Sequence, residues 1–211
     1  MEKTKLILVG ESGVGKTSII NQFLYKTFDS NITTSLTCDK WEKTIKLKDN
    51  KYLNVDIWDT AGQEKFRAIN KIFLKNTQIA LLVYDITDKN SFEELKYWYD
   101  TINEINKNEK IIFGIVANKS DLYKKQMVFQ EEGENFAKNY CRNSSFFESS
   151  ALDYEKIENI FVEISEIYVK RNGKTKNENN NTNFPDNQEH NVRFSLNNEK
   201  NTNKTKCCGK K

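Results

Sequence analysis

The octapeptide GESGVGKT at residues 10–17 gathers three of the chain's eight glycines, Gly10, Gly13 and Gly15, within six positions. Glycine lets backbone N–H groups turn inward and approach phosphate oxygens closely. The segment fits the pattern G-x-x-x-x-G-K-[ST], in which Lys16 reaches the outer phosphates of a nucleotide and the Thr17 hydroxyl ligates Mg²⁺. It follows an apolar run and opens a helical one, so a helix N-terminus adds positive potential at the same place. A Gly-rich turn that merely joins strand to helix is the bland alternative, and the strand-before, helix-after setting argues against it.

Three further motifs say what else the site would hold. In NKSD, residues 118–121, a carboxylate at Asp121 can accept from guanine N1–H and the exocyclic amine together. Adenine lacks that donor pair, so Asp121 disfavours an ATPase or kinase. Asn118 can tie the base to the phosphate loop, and the Lys119 stem can cover its face. In ESSAL, residues 148–152, the Ala151 N–H can meet guanine O6. WDTAGQE, residues 58–64, places Asp59 to hold the Mg²⁺ shell through water, the Gly62 N–H to reach a γ-phosphate and Gln63 to orient an attacking water. Between GESGVGKT and WDTAGQE lies NITTSLTCDKW, residues 31–41, with hydroxyls at Thr33, Thr34, Ser35 and Thr37. Its address is that of a γ-phosphate sensor.

The elements that must position these groups are legible in the hydrophobic pattern. KLILVG (5–10), IALLVYD (79–85) and IIFGIVAN (111–118) are continuous apolar runs of the kind that buried parallel strands show. SSFFES (144–149) is a shorter fourth. Residues 43–47 and 52–58 alternate apolar and polar around KDNK, which predicts an antiparallel hairpin at a sheet edge. Helical periods fall between: TSIINQFLY; SFEELKYWYDTINEI, with Ser91 as N-cap and Glu94 completing a capping box; QEEGENFAKNYC; and YEKIENIFVEISEIYVKR, which puts Ile157, Ile160, Phe161, Ile164 and Ile167 on one face. Strand–helix alternation predicts an α/β fold, doubly wound around a mostly parallel six-stranded sheet with one antiparallel edge strand. Its ligands belong outside the C-terminal strand ends.

Charge and composition narrow the class. Of 211 residues, 1–171 carry 25 Lys/Arg against 26 Asp/Glu, and 172–211 carry eight against four. The net +3 is therefore a property of the tail, and no nucleic-acid binding is expected. Cys38 and Cys141 are isolated, and Cys207 and Cys208 are adjacent. This is neither a disulfide framework nor a zinc site. MEKTKLILVG is too short and charged for a signal peptide, so a reducing, cytosolic setting is expected. The single histidine, His190, lies in the polar tail, which disfavours histidine-based nucleophilic catalysis. Residues 172–206 include 12 Asn and predict a disordered linker, dividing the chain into a domain at 1–171, a linker at 172–206 and a tail at 207–211.

GESGVGKT, WDTAGQE and NKSD, in this order along the chain, resemble the small GTPases of the Ras superfamily, over residues 5 to about 170. IWDTAGQEKFR, FLKN, LLVYDIT and the terminal KCCGKK resemble the Rab branch most. The resemblance implies a P-loop G domain that binds GTP and GDP with Mg²⁺, hydrolyses GTP, and works as a monomeric switch in vesicle traffic. It implies nucleotide contacts from Ser12, Gly13, Val14, Gly15, Lys16, Thr17 and Ser18, from Phe28 at the guanine edge, and from Thr34 or Ser35. Gly62, Asn118, Lys119, Asp121, Ser150, Ala151 and Leu152 complete that set. Thr17, Ser35 and Asp59 serve the metal, and Gln63 serves hydrolysis. Ser12 leaves room for an arginine finger. Implied partners are an exchange factor, a GTPase-activating protein, effectors, an escort protein and a GDP-dissociation inhibitor.

The chain departs from that family pattern at two places. Leu152 stands where the pattern has a lysine after Ser-Ala. Counted from Lys16, Ser35 falls on a characteristic threonine, Thr37 on a glycine and Lys40 on a phenylalanine. A nucleotide-binding membrane scaffold with a degenerate switch is therefore the competing reading. At the other end, Cys207 and Cys208 among Lys204, Lys206, Lys210 and Lys211 supply both lipid sites and a basic patch, which together anchor a chain to membrane stably. The location implied is the cytoplasmic face of endomembranes, in exchange with cytosol. Val192, Phe194 and Leu196 alternate in the linker and fit either an escort-docking patch or chance.

Overall fold

Leu6, Ile7, Leu8 and Val9 are consecutive and all fully buried, which a strand achieves only when both faces of its sheet are covered. The computed structural model describes residues 3–29, 38–60, 72–107, 110–141, 144–173 and 191–194, with backbone alone at 38, 49 and 191–194. Its strands are β1 (Thr4–Val9), β2 (Cys38–Lys46), β3 (Tyr52–Asp59), β4 (Ile79–Asp85), β5 (Ile112–Asn118), β6 (Ser144–Glu148) and β7 (Asn191–Phe194). Its helices are α1 (Lys16–Tyr25), α2 (Lys89–Glu93), α3 (Leu95–Ile105), α4 (Gln130–Asn135) and α5 (Tyr154–Asn172).

The sheet order is β6-β5-β4-β1-β3-β2-β7. β1 pairs in parallel with β3 and β4, and β5 in parallel with β4 and β6. β2 pairs antiparallel with β3. Leu6 and Leu8 face one core with Phe23 of α1 and Ile157, Phe161 and Ile164 of α5. Ile7 and Val9 face the other with Trp98 and Ile102 of α3. Helices on both faces make this a doubly wound α/β sheet. A stacked ring pair, Phe23 and Phe161 with centroids 3.9 Å apart, joins α1 to α5.

The six expected strands are present, and a seventh adds to them. β7 comes from the segment read as linker and pairs with β2, so β2 is not the outermost strand. The predicted hairpin is longer at its start than its alternation suggested, because β2 already begins at Cys38. KDNK includes a short 3₁₀ turn, Lys48–Asn50. Ser91 is not an N-cap. Asp88 holds that role, its side chain accepting from the Asn90 N–H, and Ser91 is buried one turn inside. α5 is capped by Asp153, whose carboxylate accepts from the Lys156 N–H at 3.1 Å, and ends at Gly173 in the left-handed region.

From β1 the chain runs out to β2 and returns to β3 beside β1, then crosses to β4, β5 and β6 on the opposite side. The reversal lies beside β1, and doubly wound sheets take their ligands at that point. The GESGVGKT loop leaves β1 there, Asp59 ends β3, Asp85 ends β4, Asn118 ends β5 and Ser149 follows β6. Among the described residues no helix is long and apolar enough to cross a membrane.

Candidate nucleotide site

The loop from Gly10 to Gly15 is shaped by approaches that only glycine permits. Gly10 has φ 147°, and a Cβ there would lie 2.1 Å from the Val83 carbonyl oxygen. Gly15 has φ 100°, and a Cβ there would lie 2.4 Å from Asn118 Nδ2. The bare Gly15 thus lets Asn118 reach across and donate to the Val14 carbonyl at 2.8 Å. The expected tie between the base motif and the phosphate loop is this bond. α1 begins at Lys16 with no side-chain cap, so its first-turn N–H groups face the loop as anion donors.

Lys16 is buried, and its Nζ donates to the Gly10 and Glu11 carbonyls, at 2.8 Å each. Burial pushes its pKa down to about 8, opposed by the nearby Asp59 and Glu11 charges. The Thr17 hydroxyl donates to Asp59 Oδ2 at 2.5 Å, so two hard oxygen donors from α1 and the end of β3 meet beside the loop. That set suits Mg²⁺, which takes one or two protein oxygens plus phosphate and water rather than an all-protein cage. Thr17 and Asp59 would hold Mg²⁺ at this place, where the ion would supply charge neutralisation to a bound phosphate chain. Thr60, next along, donates its hydroxyl to the Leu8 carbonyl at 2.7 Å and fixes the end of β3 against β1.

Beyond the loop opens a cleft of about 460 Å³ lined by Gly13, Gly15, Ser18, Phe28, Asn118, Lys119, Asp121, Ser150, Ala151 and Leu152, among others. A purine nucleoside fits that volume. Asp121 is exposed at its mouth, and the Ser150 hydroxyl donates to its Oδ1 at 2.5 Å. That bond fixes the carboxylate plane that is to meet a donor pair. Ser150 Oγ also accepts from the Leu152 N–H at 3.2 Å, which holds the Ala151 turn. Lys119 adopts φ 63°, a conformation that non-glycine residues hold only where their surroundings enforce it. Its Nζ pairs with Asp85 Oδ2 at 2.7 Å, which pins the aliphatic stem along the cleft.

Several further residues serve the site by holding the motif side chains in place. Asp85 anchors Lys119, and its own Oδ1 accepts from the Thr87 N–H and hydroxyl. The Ser149 hydroxyl donates to Asn118 Oδ1 at 3.2 Å and so orients the amide. Glu11 Oε1 accepts from Trp98 Nε1 at 3.3 Å, linking the phosphate loop to α3. For Asp85 the signal was present as an acidic residue closing an apolar run.

The structure thus brings together Ser12, Gly13, Val14, Gly15, Lys16, Thr17, Ser18, Asp59, Phe28, Asn118, Lys119, Asp121, Ser150, Ala151 and Leu152 around one cleft and loop. Phe28 and Leu152 line it as largely exposed side chains, at 45 % and 54 %. Thr34, Ser35, Gly62, Gln63, Cys207 and Cys208 lie outside the described residues. Lys40, where the family pattern has a phenylalanine, bonds Asp56 at 2.9 Å and stands over the Trp58 ring at 5.9 Å. Burial works against its charge, but Asp56 and Glu42 outweigh that and raise its pKa. A family model described as the Ras family matches residues 5–170.

Proposed function

As a chain that belongs to the Ras family, this protein is a small GTPase that binds GTP and GDP and hydrolyses GTP, and on that footing we propose that it is a Rab-like switch regulating vesicle traffic. In this reading the GTP form engages effectors. An exchange factor reloads the protein and a GTPase-activating protein speeds hydrolysis. Prenyl groups on Cys207 and Cys208 hold it on the cytoplasmic face of endomembranes. An escort protein presents the tail for modification, and a dissociation inhibitor returns the chain to cytosol. Gln63 orients the attacking water, and Ser35, with Thr34 as the alternative, senses the γ-phosphate.

The observation that carries the Rab-like reading is the adjacent pair Cys207 and Cys208 in a lysine-rich end. It supports double lipidation, since one chain alone binds membrane marginally. The test is enzymatic geranylgeranylation of the full chain. The parent is expected to take two lipids, each of C207S and C208S one, and the double variant none; no incorporation into the parent removes the reading. Gln63→Leu is expected to slow hydrolysis by roughly tenfold or more, and unchanged hydrolysis would take Gln63 out of its role. Ser35→Ala is expected to weaken Mg²⁺-GTP more than Mg²⁺-GDP.

Lys40 favours a second reading, a membrane scaffold whose surface does not respond to nucleotide. Its pairing with Asp56 and Glu42 puts a fixed charge where the family pattern is apolar. Affinity capture from cytosol on GDP-loaded and GTP-loaded protein separates the two. Partners that require the γ-phosphate support the switch, and identical sets support the scaffold.

A further inference from the structure

β2 has its partner β3 on one side, and its other side would present a row of N–H and C=O groups to any extended chain. Here the row is taken by the chain itself. β7 runs antiparallel to β2 with Cys38 opposite Phe194, Asp39 opposite Arg193, Lys40 opposite Val192 and Trp41 opposite Asn191. The covered residues are the first four of β2 and the last four of NITTSLTCDKW, residues 31–41, the stretch proposed to sense the γ-phosphate. We propose that residues 191–194 are a built-in strand that occupies this edge and competes with any partner protein that would add its own extended strand to β2.

Three observations converge on that role. Valine, phenylalanine and an absence of Gly and Pro in Asn191–Phe194 suit a strand, in a tail otherwise dominated by asparagine. Arg193 falls opposite Asp39, and an opposite-charge pair across strands favours that register over a one-residue slip. The tether is also right. Asn191 lies 18 residues beyond Gly173 at the end of α5, and a link of that order gives the strand an effective concentration of about a millimolar. A four-residue strand alone is marginal, so the contact is reversible. A longer partner strand, or one held by side-chain pockets as well, displaces it. The strand therefore sets a threshold that a partner must exceed, and it does so whatever membrane the protein serves.

Amide hydrogen exchange on the GDP-loaded full chain tests this. The amides of Cys38–Trp41 that face β7 are expected to exchange roughly tenfold faster in Val192→Pro than in the parent, as a docking constant of about ten requires at that effective concentration. Amides of α5 should not change. Equal rates at 38–41 in the two proteins would overturn the proposal. Should the proline variant also speed exchange in α5, the charge pair decides. Arg193→Glu alone should speed exchange at 38–41, and Arg193→Glu with Asp39→Lys should restore it; failure to restore overturns the proposal equally.

Discussion

The Lys16 ammonium sits where charges avoid going, buried and held by two backbone carbonyls. Its pKa of about 8 gives nucleotide binding a pH dependence with a definite sign. Phosphate prefers the protonated lysine. Below about pH 7 the free protein already carries that proton and Lys16 contributes no pH dependence. Above about 8 the free protein has lost it, so binding takes one up and GDP affinity falls, toward tenfold per pH unit. Calorimetry at pH 9 in two buffers of different ionisation heat should report uptake approaching one proton; no uptake would mean that Lys16 stays charged in the free protein. At the base, Asp121→Ala should weaken GDP about a hundredfold through loss of two bonds to a charged acceptor. Ser150→Ala only releases the carboxylate that Ser150 orients, and should cost about five- to tenfold, measured by fluorescent-nucleotide competition. Lys16, Asn118, Asp121 and Ser150 were readable because each lies in a short contiguous motif. Asp85 closes an apolar run and Ser149 lies in ESSAL, but their bracing roles were not readable, because those roles exist only through contacts to Lys119 and Asn118 across neighbouring strands.

At the scale of elements, the end of β4 is braced by the start of the helix that follows it. Ser91 Oγ accepts from the Asp85 N–H at 3.0 Å and donates to the Asp88 carbonyl at 2.7 Å. Ser91→Ala should leave a buried N–H without its acceptor, at a cost of about 1–3 kcal/mol. That corresponds to a fall in Tm of roughly 2–10 °C. Because Asp85 also pins Lys119, GDP affinity should fall with it; a variant with unchanged Tm would show that water replaces the hydroxyl. The sequence misled at this point for a physical reason. Asp88 and Ser91 are both good N-cap types three residues apart, and only the burial of Ser91 against β4 separates them. The buried strands were plain because both faces of the sheet are covered, which leaves uninterrupted apolar runs. β7 was not plain. Val192, Phe194 and Leu196 showed an alternation, but a strand of four residues takes its stability from a partner about 150 positions away, and local pattern cannot carry that.

For the whole molecule, the division of charge matters most. The domain is near neutral and the tail is basic, so the membrane attachment proposed above would combine lipid insertion with an electrostatic part. Unprenylated full chain is expected to bind vesicles containing phosphatidylserine weakly and to release as salt rises from 50 to 500 mM, because screening shortens the reach of each lysine. Doubly prenylated protein should stay bound across that range. Retention of the unprenylated chain at high salt would point instead to an apolar contact of the domain itself.

On the proposed lipidation, β7 would also work as a leash. With Phe194 docked on β2, 13 residues remain to Cys207, which span at most about 45 Å fully extended. With the strand released, the tether starts at Gly173 and spans at most about 115 Å. If Cys207 carries a lipid as proposed, the same four residues that cover the sheet edge would hold the domain close to the bilayer. A partner that takes the edge would then also lengthen the standoff, so capture of that partner and extension from the membrane would be a single event.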